Sequence, residues 1–173
     1  MTNKPKIIVD HFSTSTVPIE MFFGDTSLST ASAFLYEFEH QTYLVTNWHN
    51  LSGRSPESGE PVSPTCGLPD RISFALPTVE NVAAWKIVST HLFEQFNDSR
   101  VARWYEHPDS GSTVDIGVLP LDAIPGLKLN AINNFIQNKQ LPITVAAEVF
   151  VLGYPKRLNS GGAFPIWKRA SIA

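Results

Sequence analysis

The chain has 173 residues, of which 43% are hydrophobic and 17% charged, and its formal net charge is −3. This length suffices for one domain, or for one domain and part of another, and the composition is that of a soluble globular protein. Because the charge is mildly negative and no block of lysine and arginine occurs, we expect neither a nucleic acid nor an anionic membrane as a partner.

The amino-terminal segment and the single cysteine bear on the cellular compartment. The start, "MTNKPKIIVDHF", has only three consecutive apolar residues, too few for the core of a signal peptide, and nothing later reaches the length of a membrane span. Cys66 alone allows neither an internal disulfide nor a cysteine cage for zinc. The expectation is a cytoplasmic protein.

The chain is divided into short segments by 13 prolines and 10 glycines, and several segments alternate apolar and polar residues. This pattern favours strands over helices. Strands are predicted at 17–23, 32–38, 42–46, 71–75, 85–94, 100–105, 115–119, 145–152 and 165–172. Between them, the pattern predicts a hairpin turn at 39–41, a turn at 97–99, a surface loop at 53–69 and a short helix or linker at 131–140. The order of elements predicts an all-β protein, an antiparallel barrel or sandwich followed by the start of a second one.

Two short segments carry residues typical of catalysis. Thr46-Asn47-Trp48-His49 follows a predicted strand directly, and Asp115 begins the apolar strand "DIGVL". A carboxylate at the head of a buried strand is costly unless something hydrogen-bonds it, and a histidine that must be held in one tautomer is such a partner. We therefore expect a hydrogen bond between His49 and Asp115, about 2.6 to 3.2 Å long.

These segments resemble those of the trypsin-like, chymotrypsin-fold serine peptidases, in particular the bacterial single-chain type. The resemblance lies in "ASAFLYEFEHQTYLVTNWHNL", "DIGVLPL" and "VFVLGYP". It implies a chymotrypsin-like antiparallel β-barrel over residues 1–126 that carries His49 and Asp115, a linker with a short helix over 127–143, and the first strands of an incomplete second barrel over 144–173. It also implies a polypeptide substrate, no cofactor or metal, His49 as the general base and Asp115 as the residue that orients it.

The nucleophile of such a triad is not found. The family carries its serine in a Gly-Asp-Ser-Gly or Gly-x-Ser-Gly loop, and the nearest sequence here is Asn159-Ser160-Gly161-Gly162. Ser160 follows Asp115 too closely for the strands that precede the nucleophile loop in the family, and Cys66 lies on the wrong side of Asp115. The expectation is that these 173 residues are the N-terminal part of a longer peptidase and are inactive alone. The alternative is a non-catalytic pseudo-peptidase barrel that serves as a binding or sensing module.

The other histidines are weaker candidates for the base. His91 lies within a predicted strand and His107 precedes Pro108 in a turn, so both are expected at the surface. His11 and His40 have no pairing signal.

Overall fold

The computed structural model describes residues 9–135 and 143–173. These residues are mainly antiparallel β-sheet, as predicted. The strands are β1 (Thr16–Phe23), β2 (Thr26–Phe38), β3 (Gln41–Thr46), β4 (Arg71–Pro77), β5 (Trp85–His91), β6 (Phe93–Phe96), β7 (Ser99–Ala102), β8 (Gly117–Leu121), β9 (Glu148–Gly153) and β10 (Ile166–Ser171). Two five-residue helices, α1 (His11–Ser15) and α2 (Trp48–Ser52), and 3-10 turns at Ile132–Asn134 and Pro155–Arg157 complete the described elements.

Six strands form one curled antiparallel sheet, a half-barrel, in the order β5-β4-β1-β2-β3-β8. Alternate residues of each strand point to the same face of the sheet, so every second side chain lies in the core. On β1 these residues are Val17, Ile19 and Met21, all at most 2% exposed. They pack with residues at the same alternation on the neighbouring strands: Leu35, Leu44, Ile72, Phe74, Leu76, Leu119 and Leu121.

The predicted hairpin at 39–41 is present, with a two-residue turn. Glu39 and His40 both have positive φ, 47° and 65°, and Gln41 already belongs to β3. Two successive residues with positive φ match the right-handed twist of the paired strands. This turn sets the register in which Leu35 faces Leu44, both fully buried.

The prediction of one strand at 85–94 is wrong, because the segment is divided between β5 and β6. The chain leaves the large sheet at Leu92, whose side chain is fully buried. The backbone N–H of Leu92 donates to Asp70 O at 2.9 Å. Arg103 N in turn donates to Leu92 O, also at 2.9 Å. Because Leu92 turns into the core here, the second half of the segment becomes β6 and pairs with β7, not with β4. The strand expected at 100–105 likewise ends at Ala102.

The strands β9 and β10 form a separate two-stranded sheet. This hairpin is bound to the half-barrel through Tyr154. Its hydroxyl oxygen lies 2.7 Å from Ala163 O and 3.0 Å from Thr16 O, so its one hydrogen is shared between two carbonyl groups, and its backbone N–H donates to Ser32 Oγ at 2.9 Å. Burial raises the pKa of the Tyr154 phenol well above its usual range, so it remains a donor. Of the helix predicted at 131–140, the structure has a 3-10 turn at Ile132–Asn134, and 136–142 lie outside the described residues. The domain boundaries given above stay predictions.

Candidate active site

Helix α2 presents His49 directly after β3. Asn47 is its N-cap, with extended backbone angles, and Gly53 ends it in the left-handed conformation, with φ 70°. His49 was predicted at the end of a strand, and this helix was not predicted. A favoured N-cap residue followed six positions later by glycine is the signal that could have found it.

Asp115 is placed by the pairing of β3 with β8. Thr46 lies opposite Gly117 and Val45 opposite Val118, so the residues just after β3 and just before β8 meet at one end of the sheet. The strand predicted from Asp115 is wrong in its start, because β8 begins at Gly117. Before it, Ile116 N donates to Val114 O at 2.7 Å, a tight turn that leaves Asp115 free of the sheet.

The predicted contact between His49 and Asp115 is present. His49 Nδ1 lies 2.8 Å from Asp115 Oδ2, and the backbone N–H of His49 donates to Asp115 Oδ1 at 3.0 Å. The residues are 66 positions apart in the chain. An ionised carboxylate only accepts hydrogen bonds, so in the neutral imidazole Nδ1 carries the proton and Nε2 keeps its lone pair. Both side chains remain about one-third exposed, 36% and 33%.

A third donor reaches the same carboxylate. Asn47 Nδ2 lies 2.9 Å from Asp115 Oδ2 and 3.3 Å from the backbone oxygen of Asp115. Burial by itself raises the pKa of Asp115. This is outweighed by the hydrogen bonds from the backbone N–H and ring of His49, by the charge of His49 and by the Asn47 amide, which all lower the pKa. The net pKa therefore lies below its ordinary value. Asp115 is therefore ionised at neutral pH.

The lowered pKa gives a prediction for acid stability. Asp115 contributes stability that is present above its unfolded pKa of about 4 and is lost as the pH falls through its lower folded pKa. We expect the free energy of unfolding of the wild-type protein to fall below roughly pH 4 more steeply than that of Asp115→Asn. Urea titrations at a series of pH values measure this, and parallel curves for the two proteins would contradict it.

Helix α2 is held on the side of Trp48. The Trp48 indole Nε1 donates to Glu106 Oε2 at 2.7 Å, and its ring packs edge-on to Trp104 with centroids 6.1 Å apart. At Gly117 a Cβ atom would lie 2.7 Å from Leu51 Cδ1 and 3.4 Å from Trp48 Cα. Because Gly117 has no side chain, the helix lies directly against the start of β8, which brings His49 to Asp115.

A buried chain of polar groups holds the next residue of the helix. Asn50 Nδ2 donates to Thr46 Oγ1 at 2.9 Å, and Thr46 Oγ1 donates to Ser32 O at 2.9 Å. Asn50 and Thr46 are buried, so these bonds also satisfy groups that would be costly to leave unpaired. No pattern in the sequence indicates a supporting role for Asn50 or Ser32, and Thr46 was singled out only as part of the segment that carries His49.

Two open clefts flank the pair. One, of about 430 Å³, is lined by Asn47 and Asp115 together with Ser32, Thr46 and Leu152 of β9. The other, of about 410 Å³, is lined by His49 and by the proline-rich loop 53–69. The imidazole thus borders the second cleft, and within the described residues its Nε2 has no hydrogen-bond partner.

The structure does not bring Ser160 to this pair. Ser160 is exposed in the turn between β9 and β10, where its backbone N–H donates to Phe164 O at 2.9 Å. In the described part of the chain, no serine or cysteine side chain hydrogen-bonds to His49. Cys66 is exposed in the loop 53–69.

The remaining histidines lie at the surface. His11, His40, His91 and His107 are all exposed. His107 Nδ1 accepts from the backbone N–H groups of Asp109 and Ser110, at 3.3 and 3.1 Å, so it closes a local turn. Over residues 9–135 and 143–173, the one ion pair of a histidine with a carboxylate is that of His49 with Asp115.

No protein-family model matches the chain, and no curated protein matches it significantly. Within the described ranges, no group of three or more histidine, cysteine and acidic side chains is arranged to hold a metal ion. None of the helices in those ranges has the length and apolar character needed to cross a membrane.

Proposed function

We propose that this chain carries the base and the orienting acid of a trypsin-like serine endopeptidase, on a chymotrypsin-like N-terminal barrel. The observation that supports it is the geometry at His49: its Nδ1 lies 2.8 Å from Asp115 Oδ2, while its Nε2 has no partner in the part of the chain that the structure describes. The imidazole is thus held in the required tautomer, in which Nε2 is able to receive a proton. The pairing of β3 with β8, which joins the two motifs, is the arrangement expected if the resemblance holds.

In the proposed reaction, His49 Nε2 takes the proton of a serine hydroxyl as the serine oxygen bonds to the carbonyl carbon of a peptide. The imidazolium then gives this proton to the leaving amine as the C–N bond breaks, which leaves an acyl-enzyme ester. The same nitrogen then takes a proton from a water molecule as the water oxygen bonds to the ester carbon, and it gives this proton to the serine oxygen as the ester C–O bond breaks. Asp115 stays ionised throughout and stabilises the imidazolium.

The proposal requires a serine from outside the described residues. It must lie within about 2.6 to 3.2 Å of His49 Nε2, and Ser160 is engaged elsewhere, in the turn between β9 and β10. His49 lines the cleft that is bordered by the loop 53–69, whereas Asn47 and Asp115 line the other cleft. We propose that the segment bearing the serine packs against the cleft lined by His49.

A second candidate is the non-catalytic barrel, a binding or sensing module that keeps the pair without a nucleophile. It is favoured by the observation that no serine or cysteine side chain of the described residues hydrogen-bonds to His49. In this case the hydrogen bond between His49 and Asp115 would serve only to fix α2 on the sheet.

Labelling with a fluorophosphonate separates these candidates. We expect no label on the 173-residue chain, whether wild type or Ser160→Ala, because no activated serine is present. In the polypeptide expressed from the native gene, we expect one labelled serine, identified by mass spectrometry, and loss of the label in His49→Ala. A native polypeptide that neither labels nor hydrolyses peptides would favour the binding module. A label on Ser160 would contradict the requirement for an outside serine.

A further inference from the structure

Asn47 occupies the N-cap of α2 but its side chain does not act as a cap. Its backbone is extended, with φ −64° and ψ 142°, and asparagine is among the residue types most favoured at this position. Such a side chain ordinarily accepts a hydrogen bond from the second or third N–H of the helix. The Asn47 side chain makes no such bond in α2. The N–H of His49, the second of the helix, instead donates to Asp115 Oδ1 at 3.0 Å.

The Asn47 amide is directed at Asp115. Its Nδ2 donates to Oδ2 at 2.9 Å, and Oδ2 is also the oxygen that accepts from His49 Nδ1 at 2.8 Å. The same Nδ2 lies 3.3 Å from the backbone oxygen of Asp115. The Asn47 amide therefore binds both the side chain and the backbone of Asp115. The Asp115 carboxylate in turn caps α2 by accepting the N–H of His49.

We propose that Asn47 is a positioning residue, which holds the Asp115 carboxylate in the orientation that presents Oδ2 to His49. With Oδ1 bound by the His49 N–H and Oδ2 by Asn47, rotation of the carboxylate is restrained at both oxygens independently of the imidazole. The effect of Asn47 on catalysis rests on the function proposed above. Its effect on Asp115 does not, and can be measured without a substrate.

An ordinary capping role makes the opposite prediction for one substitution. Aspartate is as good an N-cap as asparagine, and its charge is favourable at a helix N-terminus. A capping role thus predicts that Asn47→Asp is harmless or stabilising. A donor role predicts that Asn47→Asp is less stable than Asn47→Ala, because a second carboxylate would face Asp115 Oδ2 with no hydrogen to donate.

The test is an NMR titration of the Asp115 carboxyl carbon in the 173-residue protein. We expect its midpoint to rise by roughly half a unit to one unit in Asn47→Ala, through loss of a hydrogen bond to the ionised form, and further in Asn47→Asp. His49, the titratable side chain that contacts Asp115, is present in every variant. Asn81→Ala is the matched control, because Asn81 is also exposed and its amide oxygen binds the Ala83 N–H; the Asp115 midpoint should not move.

Asn47 is exposed, so the variants are expected to fold, which circular dichroism checks. An unchanged Asp115 midpoint in Asn47→Ala would overturn the proposal, as would an Asn47→Asp protein more stable to urea at pH 7 than the wild type. If Asn47→Asp fails to fold, the midpoint in Asn47→Ala decides alone. Loss of the proposed peptidase function would appear in the labelling experiment and would leave these midpoints unaffected, so the two failures are distinguishable.

Discussion

Asp115→Asn is expected to remove the ability of His49 to act as a base. Three hydrogen-bond donors converge on the Asp115 carboxylate: the backbone N–H of His49, its Nδ1–H and the Asn47 amide. An asparagine offers one oxygen and one NH₂ group in place of two acceptors. If the oxygen binds the His49 N–H, the NH₂ faces Nδ1 and the imidazole proton moves to Nε2. The opposite orientation places the NH₂ against the backbone N–H.

The consequence is a change of tautomer and, in the proposed peptidase, a fall in kcat of about 10⁴-fold. Nitrogen-15 NMR of the His49 ring measures the tautomer in the 173-residue protein, where no nucleophile is needed. We expect the proton on Nδ1 in the wild type and on Nε2 in Asp115→Asn. The rate is measured separately on the native polypeptide once fluorophosphonate labelling has identified its serine.

Asp122→Asn is the matched control, because it removes the same charge shortly after β8. Asp122 is exposed, and its side chain has no hydrogen bond among the described residues. It should leave the His49 tautomer and the rate unchanged. A ring that keeps its proton on Nδ1 in Asp115→Asn, with an unaltered rate, would remove Asp115 from the proposed mechanism.

The pairing of His49 with Asp115 could be predicted because it follows from two strong local patterns. The alternation in "TYLVT" and the apolar run in "GVLPL" identify two strands, and an all-β fold is one that joins residues 66 apart by strand pairing. Whether these strands were adjacent could not be derived from alternation alone. The contact was expected because an unpaired carboxylate at Asp115 would be costly, and the structure pairs the two strands as β3 and β8.

The details that shape the site could not be predicted in the same way. Helix α2 has five residues, too short for helical periodicity to appear against the preceding strand pattern. The break at Leu92 depends on burial of one side chain, which a strand pattern of alternating polarity does not record. The contact of Asn47 with Asp115 depends on a rotamer, and residue type alone indicates capping there.

Gly53→Ala is expected to destabilise the protein by about 3 kcal/mol. Gly53 has φ 70° and ends α2, where its N–H donates to His49 O at 3.0 Å. A Cβ atom built on it would lie 2.3 Å from Pro69 Cδ and 3.3 Å from Leu68 Cα. The proline ring is fixed to the backbone and cannot turn away, so the loop 53–69 must shift from the helix that carries His49.

Gly59→Ala isolates the contact from the backbone conformation. Gly59 lies in the same loop with nearly the same φ, 72°, and a Cβ atom there would meet nothing within 4 Å. The free energy of unfolding of Gly59→Ala should therefore fall only by the cost of placing alanine in the left-handed region, about 1 kcal/mol. Urea unfolding of both variants measures the difference, which we attribute to the contact with Pro69. Equal losses in the two proteins would show that the loop accommodates the methyl group and would contradict the prediction.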